Sequence, residues 1–92
     1  VNPTIEINKS VDVITKFCVN GTVNSRVVPC KMLFGGREIV FTKLGMLHPT
    51  GKGKKMIHVF DVSDENNDYR LEFDAERLSW TLMAIVPGGS DG

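Results

Sequence analysis

The chain has 92 residues, 41% of them hydrophobic and 24% charged, which is one domain's worth of sequence, too apolar for a disordered chain and without the bias of a fibrous one. A domain this small hides only about two-thirds of the surface that its unfolded chain exposes, so its core is thin. Eleven basic residues balance eleven acidic ones, so bulk charge singles out no polyanion and no acidic or basic partner.

Residues 1–10 read as a flexible N-terminal tail, residues 11–86 as one β domain and residues 87–92 as a second tail. Residues 11–19 are rich in β-branched side chains and alternate imperfectly, as a strand with one buried face does. A two-residue turn at Asn20-Gly21 sets Val13 against Val28 and Val11 against Cys30. The next turn, Gly35-Gly36, sets Phe34 against Arg37, Met32 against Ile39 and Cys30 against Phe41. Gly45, Pro49, Gly51 and Gly53 then break the pattern, and residues 44–55 read as a long loop.

Strands resume at residues 56–62 and 69–73, on either side of a polar turn. In the last segment, residues 78–86, a tight hairpin pairs Phe73 with Leu78, Leu71 with Trp80 and Tyr69 with Leu82. The competing reading is a C-terminal helix capped by Asp74, with Ala75, Leu78, Leu82 and Ile85 on one stripe. The fold class is therefore all-β, a small antiparallel meander of about six strands forming a curled sheet or small barrel. The longest uncharged apolar stretch, residues 78–86, is far shorter than the roughly 20 residues of a membrane helix, and no membrane association is expected.

No catalytic constellation emerges. Cys18 and Cys30 fall on different faces and far apart along the strands, which argues against a disulfide. Reduced thiols fit a cytoplasmic location. His48 and His58 have neither helical metal-ligand spacing nor a cysteine motif beside them, so neither metal nor cofactor is expected. GMLHPTGKG, residues 45–53, approaches a phosphate loop but has the wrong glycine spacing and Gly53 where Ser or Thr is needed. DVSDENND, residues 61–68, lacks the spacing and terminal Glu of a calcium loop.

Two surface features remain. Residues 37–58 carry five basic side chains against Glu38, and Lys43, His48, Lys52, Lys54 and Lys55 form the one group suited to phosphate contact. Against that stands the aromatic set, Phe17, Phe34, Phe41, Phe60, Tyr69, Phe73 and Trp80, which falls mostly on the core side where it cannot stack bases. On the opposite face, Ile14, Val23, Leu33, Val40, Met83 and Ile85 point outward where polar residues belong, as at an interface.

The order Pro29, then Phe34-Gly35-Gly36-Arg37-Glu38-Ile39-Val40, then Val59-Phe60-Asp61-Val62-Ser63-Asp64, Tyr69-Arg70-Leu71-Glu72-Phe73 and Leu78-Ser79-Trp80-Thr81-Leu82 resembles short bacterial β proteins. It is also faintly similar to a small domain of unknown function found beside translesion DNA polymerases. The resemblance implies a β fold and, through the polymerase association, a nucleic-acid context; its signposts are structural residues. The residues themselves favour a non-enzymatic protein-binding or self-assembly module with a homodimer or protein partner. The alternative is a nucleic-acid-binding accessory domain using the Gly/Lys-rich loop 43–55.

Overall fold

A computed structural model describes residues 4–19, 27–49 and 57–88. They form seven strands: β1 (Ile5–Phe17), β2 (Val27–Phe34), β3 (Arg37–Val40), β4 (Lys43–Pro49), β5 (Ile57–Ser63), β6 (Asn67–Asp74) and β7 (Ser79–Pro87). All neighbours are antiparallel, in the order β3-β2-β1-β7-β6-β5-β4. The all-β reading is correct, and no helix occurs among the described residues.

The seventh strand comes from the segment 37–49, which changes partner midway. Its first part pairs with β2 and its last with β5. At the switch the Phe41 amide donates to the Cys30 carbonyl at 3.0 Å and the Thr42 amide to the Ser63 carbonyl at 2.8 Å. The two outer strands of the sheet are thus consecutive in the chain, and the sheet must curl into a half-barrel to let two residues join them. β1 is shared in the same way, its first half on β7 and its second on β2.

The β2–β3 hairpin has the expected register, Phe34 opposite Arg37 and Met32 opposite Ile39. Gly35 and Gly36 have φ of 62° and 77°, and a positive φ at both central residues is what a type I′ turn demands and side-chain-bearing residues resist.

Elsewhere the register differs. β1 and β2 pair with Val13 opposite Met32 and Phe17 opposite Val27, so Val13 does not meet Val28; the expected turn at Asn20-Gly21 lies outside the described residues. Residues 5–10 are strand and not tail, with Ile5 opposite Ile85 and Ile7 packed on the core; an irregularity at Asn8, φ 54°, hides the alternation there. At the far end Pro87 pairs with Asn67, and the Gly88 amide donates to the Asn66 carbonyl at 2.9 Å. Regular structure therefore starts before residue 11 and continues past residue 86, the expected bounds of the domain.

Residues 43–49 are likewise strand. A Cβ on Gly45 would stand 2.7 Å from the Asp61 carbonyl oxygen, so this glycine serves a close backbone approach at the irregularity between Leu44 and Leu47. The rest of the expected loop, residues 50–55, lies outside the described residues.

β7 is a strand because Phe73 meets Trp80 and Leu71 meets Leu82, two residues along from the expected pairing and hence on the same faces. The turn between β6 and β7 spans residues 75–78. Asp74 Oδ1 accepts the Glu76 and Arg77 amides at 3.0 and 3.1 Å, the same bonds that a helix N-cap would make.

The turn ends on Leu78, held at φ 55° with its side chain 73% exposed. An L residue there costs about 1–2 kcal/mol, which glycine avoids at an entropic cost of roughly 0.5–1 kcal/mol. Leu78→Gly is expected to leave stability unchanged or raise it by up to about 1 kcal/mol, read as the midpoint of thermal unfolding. A clear fall would show that Leu78 makes contacts that its exposure does not suggest.

The core lies on the concave side. Phe60, Leu71 and Leu82 form one row across β5, β6 and β7, and Val62, Tyr69 and Ile85 a second. The Trp80 ring leans on Phe73 at 4.8 Å and on Phe60 at 5.4 Å between centroids, while Phe41 meets Tyr69 at 5.7 Å. Met32 reaches in from β2. Phe17 departs from its expected place in the core: it is 65% exposed at the end of β1.

Candidate functional site

The outer face of β1, β2 and β3 is where the sequence places apolar side chains in solvent. Ile14, Leu33 and Val40 are 58, 47 and 58% exposed. The ladder brings them together in two adjacent rows: Asp12, Leu33 and Glu38 in one, Ile14, Lys31 and Val40 in the next. Period-two alternation puts these residues on one side because their neighbours Val13, Met32 and Ile39 turn toward the core. A shallow depression of about 220 Å³ opens between the rows, bordered by Asp12, Ile14, Lys31, Leu33 and Glu38.

The polar groups of this face are loosely held. Lys31 Nζ lies 3.6 Å from Glu38 Oε1, with their side chains 36 and 65% exposed. Such a pair is screened by water and worth at most about 1 kcal/mol, so both groups are free to take other partners.

Not every expected interface residue belongs here. Ile85 packs against the core cluster, because an irregularity between Arg70 and Leu71 in the β6–β7 ladder sets it opposite buried Tyr69. Met83 stands at that same irregularity, half-buried. Val23 lies outside the described residues. Of the nucleic-acid set, Lys43 is exposed at the start of β4 and His48 is in β4, while Lys52, Lys54 and Lys55 lie outside the described residues. The three charged members of the outer face, Asp12, Lys31 and Glu38, were missed. The Gly35-Gly36 register already placed Lys31 and Glu38 beside Val40 and Leu33, but Asp12 joins them only through the β1–β2 register.

A larger depression, about 380 Å³, lies over β5, β6 and β7 and is bordered by Asp61, Ser63, Asp68 and Arg70. Its polar groups satisfy one another. Arg70 Nε and Nη2 donate to Asp61 Oδ1 and Oδ2 at 3.0 and 3.3 Å, and the Ser63 hydroxyl donates to Asp68 Oδ1 at 2.6 Å. This ion pair raises the Arg70 pKa further.

The β5–β6 turn is held by Asp64. Its Oδ1 accepts the Asn66 and Asn67 amides, both at 2.7 Å, and its Oδ2 accepts the Tyr69 hydroxyl at 2.8 Å. Burial pushes the Asp64 carboxyl up, but these hydrogen bonds together outweigh it and leave the group below the usual carboxylate value. Burial, with Asp64 beside it, raises the Tyr69 hydroxyl.

Cys18 and Cys30 are both free thiols. Cys30 is half-buried at the β1–β2 irregularity, its Sγ 3.5 Å from the Val28 carbonyl. Among the described residues no group of three His, Cys, Asp or Glu could hold a metal ion, and no helix is long and apolar enough to cross a membrane.

Fold and surface together define a small all-β half-barrel domain with an apolar, charge-studded outer sheet face. In comparisons with known proteins, no family model, no curated protein and no solved structure matches the chain.

Proposed function

We infer that this domain is a non-enzymatic protein-binding module that self-associates, docking through the outer face of β1, β2 and β3. The supporting observation is the contiguous trio Ile14, Leu33 and Val40, each about half exposed on adjacent strands of one face. Covering three such side chains is favourable by roughly 25 cal/mol per Å² of apolar surface removed from water, and the surface salt bridge among them opposes it little. Of the nucleic-acid group only the Lys43 side chain is described.

Ile14→Asp and Val40→Asp, separately, are expected to weaken self-association at least tenfold, since each places a carboxylate in the surface to be dried. Sedimentation equilibrium over a concentration series reads this, with circular dichroism as the check on folding. A folded variant that still associates like the parent protein would remove the face from consideration.

A further inference from the structure

We propose that the occupant of this face is a second copy of the chain, packed sheet on sheet so that each row of one copy lies on the other row of its partner. The inference rests on the self-association reading and names its geometry. The two rows are complements. One reads acid, apolar, acid (Asp12, Leu33, Glu38) and the next apolar, base, apolar (Ile14, Lys31, Val40). Stacked sheets lie about 10 Å apart with strands inclined by about 30°.

A two-fold axis between the sheets, perpendicular to the strands and midway between the rows, lays β1 on β1 in opposite directions and exchanges the rows. Each Lys31 then stands over the second copy's Leu33 with a carboxylate on either side, from Asp12 and Glu38. The depression between the rows gives the lysine stem a place to settle, and the stem covers apolar surface while its ammonium reaches the acids. The other simple stackings are worse. An axis along the strands stacks Leu33 on Leu33 and Ile14 on Val40 but also sets Lys31 on Lys31 and Asp12 on Glu38, and an axis over either row sets like charges on like.

Three strands of this length present a face well below the roughly 800 Å² per partner of a standard interface, so the dimer is weak and strongly concentration-dependent. The charges provide its specificity.

The test is a pair of charge reversals and their mixture. Lys31→Glu makes both rows acidic or apolar, and the double variant Asp12→Lys with Glu38→Lys makes them basic or apolar. All three positions are on the surface, so both proteins are expected to fold, which their amide spectra would verify. Neither is expected to self-associate, with at least a tenfold loss against the parent protein, whereas an equimolar mixture recovers a dimer-sized mass. If both variants dimerise like the parent, or the mixture stays monomeric, the row-on-row arrangement is wrong. Ile14→Asp separates the levels: loss of the dimer there, with charge variants unaffected, keeps the face and overturns only the geometry. A parent protein monomeric up to millimolar concentration overturns both.

Discussion

Leu71→Ala is expected to cost about 3–4 kcal/mol, the range for removing a large aliphatic side chain from a packed core. Leu71 is 0% exposed at the middle of β6, with Phe60 on one flank and Leu82 on the other. Its loss would leave a cavity walled by two strands whose backbones are pinned on both sides, so the site has little freedom to collapse. A domain of this length has roughly 5–14 kcal/mol of stability in all, so the variant keeps only part of it. Urea unfolding would show a lower midpoint with an unchanged slope. A loss under about 1 kcal/mol would mean that the concave side is not the tightly packed interior described above.

The second large effect falls on a polar residue. Asp64→Ala removes the acceptor of two backbone amides and the Tyr69 hydroxyl and is expected to cost about 2–3 kcal/mol near neutral pH, hydrogen bonds to a charged group being among the stronger ones. The loss depends on pH in one direction. Because the folded-state pKa of Asp64 lies below its ordinary value, its stabilisation is complete above about pH 4, where the unfolded carboxyl is ionised, and fades as the pH falls through the lower folded value. The gap between parent and variant, read by urea unfolding, should therefore narrow below about pH 4. A gap that widens on acidification would show that Asp64 is held in its neutral form.

Local chemistry was legible where it stands alone. Gly35-Gly36 fixed the β2–β3 register because two adjacent glycines at positive φ admit essentially one turn, and three of the six expected interface residues, Ile14, Leu33 and Val40, took their outward positions. The β1–β2 register expected from Asn20-Gly21 does not hold, since β1 and β2 pair to join Val13 with Met32, which keeps buried Met32 on the core side. Asp74 shows how a true signal misleads: its side chain caps two amides as at a helix start, but the chain then turns into a strand. Gly45 read as a loop breaker and proved to be a strand residue, because the Asp61 carbonyl that demands it lies 16 positions away in the sequence. Ile85 moved from the outer face to the core because one irregularity in the β6–β7 ladder reverses every side chain beyond it. Of the surface charges, Lys31 and Glu38 followed from the Gly35-Gly36 register, whereas Asp12 joins their rows only through the β1–β2 register.

Ile5 of β1 lies opposite Ile85 of β7, so the first and last strands are hydrogen-bonded neighbours running in opposite directions. A pulling force applied through the two ends of the domain falls on one rung of that ladder at a time, and the strands part like a zipper instead of shearing together. Asn8, at its positive φ, already interrupts the rungs near that end. Parting the strands in this way takes less force than shearing the same ladder along its length.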